Sequence, residues 1–170
     1  MGAIKGNKIV YLYRLLADAK TMAAMALAFQ TENGRTKSRD SDTVVTKDGP
    51  IRVPGDIETE ISATALFADE NDEMIAKLEQ AIDTGERVEI WEVNLAKKGT
   101  SENASKYKGK YFQGYVTSLE LSSNAEDHAE VTVGGLEAIE RSIPHDDAVG
   151  QIAGVVAVDG EQRIIPLRNR

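Results

Sequence analysis

The clearest periodic signal in the chain is the alternation from Ile57 to Phe67. Ile57, Thr59, Ile61, Ala63, Ala65 and Phe67 fall on one side, and Glu58, Glu60, Ser62, Thr64 and Leu66 on the other. A period of two is the geometry of an extended strand with one buried face. Ile9 to Leu16 (IVYLYRLL), rich in aromatic and branched residues, predicts a second, buried strand. Glu89 to Leu95, Phe112 to Leu121, Ala129 to Val133 and Ile152 to Val158 read as further strands, with Tyr115, Thr117, Leu119 and Leu121 sharing a face. Asp159-Gly160 is placed to turn the last of these back toward Ile164 and Ile165, and Gly134-Gly135 marks a bulge or bend between β-prone residues. The period changes once. Met74, Ile75, Leu78 and Ile82 follow helical spacing, Asp69, Glu70, Asp72 and Glu73 gather where a helix dipole favours negative charge, and Gly85 supplies a stop. The pattern predicts a mainly β fold with one helix over a face or edge of its sheets, and polar loops at Lys97 to Lys106 and Ser142 to Gly150.

One stretch fits neither period. From Glu32 to Asp56 only Val44, Val45, Ile51 and Val53 are apolar, while Arg35, Lys37, Arg39, Lys47 and Arg52 balance Glu32, Asp40, Asp42, Asp48 and Asp56. Structureless connections beyond roughly 12 to 15 residues are uncommon in compact domains, and holding this one still costs on the order of 25 kcal/mol of backbone entropy. Four aliphatic residues cannot offset that within one molecule, so the segment either stays mobile or is ordered by another molecule. Its punctuation favours an extended hairpin arm. Asn33-Gly34 and Asp48-Gly49 are turn dipeptides of paired strands, Thr43 to Thr46 is strongly β-prone, and Pro50 belongs at an edge or a strand end.

Composition then narrows the function. At 170 residues, 41% hydrophobic and 28% charged, the chain suits one globular domain, residues 1–170, with one core. It has no cysteine, which removes disulfides and thiol chemistry and is at ease in a reducing compartment. The longest apolar run, Met22 to Phe29, is far short of the roughly 20 residues that cross a bilayer, so a soluble protein with no membrane partner is expected. A formal net charge of −8 opposes tight binding to nucleic acid, whereas repulsion would serve a protein that DNA merely passes.

Candidate chemistry is sparse. The sequence has no G-x-S-x-G elbow, P-loop or dinucleotide fingerprint, and no catalytic site or cofactor is expected. His145-Asp146-Asp147 and Asp40-Ser41-Asp42 lack the ligand order of calcium or zinc sites and read as solvated loop polarity. Glu58 and Glu60 share a strand face as an acid and base pair might, but a wet sheet face explains them as well. Lys106 to Tyr115 (KYKGKYFQGY) interleaves cations and aromatics in a way that could stack bases. Packed rings with lysines guarding an edge account for it better.

Phe29-Gln30-Thr31, the charged arm with Arg39-Asp40-Ser41-Asp42, then Thr46-Lys47-Asp48-Gly49 and Val53-Pro54-Gly55 before the alternating strand, resemble the major tail proteins of long-tailed, non-contractile bacteriophages. The agreement continues through the helix at Asn71 to Asp83 and the strand Arg87 to Val93, and rests on order and spacing. The resemblance implies a β-sandwich or barrel-like fold with a flanking helix and a long protruding hairpin, built into hexameric rings that stack head to tail as a conduit for DNA. It implies a virion tail location after assembly in the host cytoplasm, with tape-measure, terminator and distal tail proteins as partners. An N-terminal arm (1–8), the hairpin (32–56) and a C-terminal arm (151–170) would meet neighbouring copies. Contacts between subunits and rings would then fall on Arg35, Lys37, Arg39, Asp40, Asp42, Lys47, Asp48 and Arg52, and Glu58 and Glu60 would line the bore. Some members carry an extra immunoglobulin-like domain, which this sequence is expected to lack. The rival reading is a carbohydrate-binding β-sandwich of a virion or cell surface, with Trp91 and the tyrosines from Tyr107 to Tyr115 as its sugar platform.

Overall fold

The computed structural model describes residues 2–18, 24–27, 30–68, 72–98, 106–123, 125, 129–141 and 155–157. They form eight strands and one α-helix: β1 (Ile9–Leu15), β2 (Met25–Ala26), β3 (Gln30–Thr46), β4 (Gly49–Leu66), α1 (Asp72–Thr84), β5 (Val88–Lys98), β6 (Lys106–Ser122), β7 (Glu130–Arg141) and β8 (Val155–Ala157). All pairings are antiparallel, in the order β2-β1-β5-β6-β7-β4-β3, with β8 beside β6. This is the predicted mainly β fold with its flanking helix and long hairpin. The residues expected in the Ser142 to Gly150 loop, in the Asp159-Gly160 turn and around His145 lie outside the described residues.

The sheet is strongly curled. Three strands separate β3 from β5 in its order, which in a flat sheet would hold them roughly 19 Å apart at about 4.8 Å per strand. Yet Arg35 of β3 reaches Glu92 of β5 at 2.6 Å, and the Gln30 side chain donates to the Tyr11 carbonyl of β1 at 3.3 Å. Glycine assists the bend. Ile61 pairs with Leu136 and Ala63 with Val133, so Ser62 faces both Gly134 and Gly135 and the expected bulge is present.

The curl encloses one large core. Tyr11, Tyr13 and Leu15 of β1, Ile61, Ala63 and Ala65 of β4, Val88 and Ile90 of β5, and Phe112 and Val116 of β6 meet there. Thr59, Ile61, Ala63 and Ala65 are buried as the alternation predicts, with Ile57 and Phe67 emerging at the two ends. In β6, Tyr115, Thr117 and Leu121 of the expected shared face are exposed and Leu119 is half-buried, while Val116 on the other face is buried in the core.

Helix α1 closes the core with Met74, Ile75, Leu78 and Ala81. Ile82, expected in that stripe, is exposed in the last turn of the helix, and Ala81 beside it is buried instead. Gly85 ends the helix as predicted, with φ +71° and its N–H donating to the Ala81 carbonyl at 2.9 Å, the left-handed conformation that glycine takes most readily. Lys77 holds Asp18 at 2.6 Å and ties the helix to the end of β1.

A smaller cluster behind the sheet joins Leu12, Ala24, Trp91, Val93 and Tyr111. The Trp91 and Tyr111 rings lie 5.1 Å apart, and the Arg14 guanidinium sits 4.9 Å from the Trp91 ring. Arg14 and Glu89 are 4% and 2% exposed and pair at 2.7 Å, while the Tyr111 hydroxyl donates to the other Glu89 oxygen at 2.5 Å. Each ion is thereby partnered in a place where an isolated charge would be very costly. Arg14→Met leaves the Glu89 carboxylate buried without its counter-ion and should destabilise the fold by about 3–5 kcal/mol. Urea denaturation checks this, and a change under about 1 kcal/mol would mean that water reaches the pair.

Candidate assembly interface

β3 and β4 leave the body as one hairpin. Their pairing runs unbroken in sense from Gln30↔Ala65 out to Thr46↔Gly49, so the arm predicted from composition exists as two long strands. Asn33-Gly34 is not a turn. Both residues lie inside β3 opposite Ala63 and Ser62. The reversal is at Lys47 and Asp48, followed by Gly49 at φ +119°. The Thr46 hydroxyl donates to the Gly49 carbonyl at 2.7 Å and accepts from the Asp48 N–H at 3.3 Å.

The root of the arm is clamped. Arg35 gives Nε and Nη2 to the two Glu92 oxygens at 2.6 and 3.3 Å, the Tyr11 hydroxyl donates to Glu92 at 2.6 Å, and the guanidinium lies 5.8 Å from the Phe112 ring. Arg35, expected at a contact between copies, therefore spends its charge inside its own chain. Burial alone would raise the Glu92 carboxyl. The hydrogen bonds from Arg35 and Tyr11, with the positive charges of Arg35 and Lys110, outweigh it and hold the carboxyl below the usual glutamate range. Burial and the Glu92 hydrogen bond push the Tyr11 phenol far up, so it remains a donor.

Beyond the clamp the arm is exposed. Lys37, Arg39, Asp40, Asp42, Lys47, Asp48 and Arg52 are all exposed, as are Val44, Ile51, Val53 and, at 82%, Val45. β3 is the terminal strand of the sheet, so one long edge of its backbone faces outward, guarded by charged side chains.

A bulge organises these residues into two unlike faces. Arg39 pairs with Ile57 and Ser41 with Pro54, so Asp40 stands opposite both Gly55 and Asp56. The strands approach closely there, since a Cβ on Gly55 would lie 3.1 Å from the Asp40 carbonyl oxygen. β3 keeps its alternation through this point while β4 carries the extra residue, so Val53 and Ile57 end on opposite faces. The face continuous with the core bears Arg35, Lys37, Arg39 and Arg52 with Val45, Pro50, Pro54 and Ile57. The opposite face bears Glu32, Asp40, Asp42, Glu58 and Glu60, with Val44, Ile51 and Val53 toward the tip. Its acidity continues onto the sheet in the row Glu32, Thr64, Thr132 and Glu120 and in Glu130. Among the described residues in these rows none is basic.

Other candidate groups fall elsewhere. Trp91, Tyr111 and Phe112 are buried and Tyr107 is partly so, leaving Tyr115 as the well-exposed ring of the set. No platform of aromatic faces for a sugar is present among the described residues. Asp40 and Asp42 share a face with Ser41 turned away, which is the alternation of a strand.

With this geometry in place, the chain can be set against known proteins. A family model described as phage tail tube protein matches residues 3–134. A protein of Staphylococcus phage phiMR25 named as a tail protein is 34% identical over 120 residues, 70% of this chain and 60% of that protein. The chain belongs to the phage tail tube protein family. The tail tube protein gp17.1* of Bacillus phage SPP1 is 26% identical over 130 residues, 76% of this chain and 47% of the relative. This tail tube protein therefore spans about half to three fifths of the curated relatives' lengths. Its fold matches the solved SPP1 tail tube with a TM-score of 0.65 at 21% identity, covering 82% of this chain and 79% of that one. It also matches the tail of an empty gene transfer agent particle, refined with C6 symmetry, at 0.53 and 15% identity, covering 80% and 93%.

The clamp of the tail tube protein makes a pH-dependent claim. Because Glu92 titrates lower when folded, its contribution is complete above the ordinary carboxyl pKa and is lost as pH falls through the depressed folded value. Glu92→Gln should lower stability near neutral pH by about 1 kcal/mol, and the gap to wild type should close on acidification from about pH 5 downward. Denaturation midpoints across that range test it, and a gap independent of pH would contradict it.

Proposed function

We propose that this tail tube protein is the repeating subunit of a tube of stacked six-membered rings through which the viral genome leaves the particle, and that it catalyses no reaction. The observation that carries the reading is the paired arm, which projects past its own core with apolar and charged side chains left uncovered on both faces. The long edge of β3, unpaired among the described residues, and the six-fold refinement of the gene transfer agent tail support ring closure. Contacts with neighbouring copies fall on Lys37, Arg39, Asp40, Asp42, Lys47, Asp48 and Arg52, with Arg35 acting inside the subunit to aim the arm. The segments 1–8 and 151–170 serve as terminal arms of the single domain. Tape-measure, terminator and distal tail proteins are its further partners in the virion tail, after assembly in the host cytoplasm.

Glu58 and Glu60 stand on the acidic face, and that face lines the bore in this reading. Six copies at −8 each would present duplex DNA with like charge, so that phosphates find few cations to hold them in passage.

Replacing Asp40–Asp56 by an Asn-Gly turn joins Arg39 to Ile57 where they already pair, and leaves the clamp and the core intact. The shortened protein should unfold with the wild-type midpoint within about 0.5 kcal/mol and form no tubes in electron micrographs where the wild type does. Tubes from the shortened chain would remove the arm from the assembly mechanism.

A further inference from the structure

An open groove of about 360 Å³ runs between α1 and the ends of β4, β6 and β7. Val131 and Ile75 form its buried floor, and Phe67, Leu119, Leu121 and Ala76 its apolar sides, with Leu121 55% exposed. Its rim on α1 is acidic. Glu73 and Glu79 stand one turn to either side of Ala76 and are both exposed, as is Asp83 one turn beyond Glu79, while Lys77 on the same helix is committed to Asp18.

The arm carries the complement. Its core-continuous face combines Val45, Pro50, Pro54 and Ile57 with Arg39 and Arg52, and neither arginine makes an ion pair with the described residues. The opposite arm face is acidic and would be repelled by the same rim. We propose that the groove beside α1 receives the cationic, apolar face of the arm of a second copy, with Val45 and Pro50, which pair across the two strands, against Phe67 and Leu121 and Arg52 against Glu73 and Glu79. The proposal rests on the tube reading and deepens it by naming the receiving site. The contact joins different surfaces of the two copies, so it propagates from copy to copy. It also leaves the acidic arm face free to look elsewhere.

Because the chain has no cysteine, introduced thiols are the only ones present. Full-length Val45→Cys and Leu121→Cys proteins, both at exposed positions, are mixed under assembly conditions and oxidised. The expected product is a mixed disulfide dimer that forms only when both variants are present, and Leu121→Asp should abolish sedimenting tubes while keeping the wild-type unfolding midpoint. A charge exchange gives a second reading: Arg52→Glu and Glu79→Arg each reduce tube yield, and together they restore it. Three results would overturn the groove as the arm's receptor: tubes that form without the mixed disulfide and tolerate Leu121→Asp, a Leu121→Cys homodimer that places two grooves face to face, or charge variants that do not compensate. Those results leave the tube reading standing, whereas a wild-type protein that forms no rings or tubes in micrographs removes both.

Discussion

Backbone pairing between β3 and β4 continues well past the last residue that the core can cover, and this mismatch of lengths organises the molecule. Up to Thr59 and Ile61 the hairpin is a wall of the core, and the Arg35–Glu92 pair holds it there. From Ile57 outward the same two strands carry valines, isoleucines and charges that stand exposed in the single chain. An isolated two-stranded ribbon is marginal in water. A sequence that keeps strand-forming residues through such a segment is fitted to order supplied by a partner, and in the proposed tube that partner is another copy.

Alternation turns the arm into a two-sided device. Side chains of a strand point to opposite faces in turn, so placing Arg35, Lys37 and Arg39 at odd positions and Glu32, Asp40 and Asp42 at even ones sorts charge by face. The bulge at Gly55-Asp56 shifts β4 by one residue, so Glu58 and Glu60 join the acidic side and Arg52 the basic side. A segment that is electrically balanced in composition is strongly polarised in space. In the proposed tube one side meets acidic protein surface and the other faces the passing phosphates, and like-charge repulsion makes the reversed docking unfavourable.

Much of this was legible in the residues. The strand from Ile57, the helix with its Gly85 stop, the glycine bulge and the extent of the arm follow from local periodicity and turn chemistry. What escaped depends on contacts between distant positions. Arg35 and Glu92 are 57 residues apart, and nothing near Arg35 marks it for a partner on β5. Trp91 and the tyrosines looked available for a ligand because aromatic residues in a charged strand carry no sign of burial, and the Leu12 and Ala24 side chains that pack with them come from distant positions. Asn33-Gly34 has turn chemistry, yet the pairing of β3 with β4 carries straight through it. Ile82 stands exposed in the last turn of the helix while Ala81 is buried, which periodicity alone does not reveal. The charge sorting needed the register, since a single bulge decides whether Arg52 joins the cations or the acids.

Amide hydrogen exchange, read segment by segment before and after assembly, tests the central claim most directly. Order supplied by neighbouring copies predicts that amides of 40–56 exchange rapidly in the dissociated chain and become strongly protected in tubes, while β1 and β5 are protected in both. Equal protection of the arm in the two states would mean that the hairpin is stable by itself, and the account built on its dependence would be wrong.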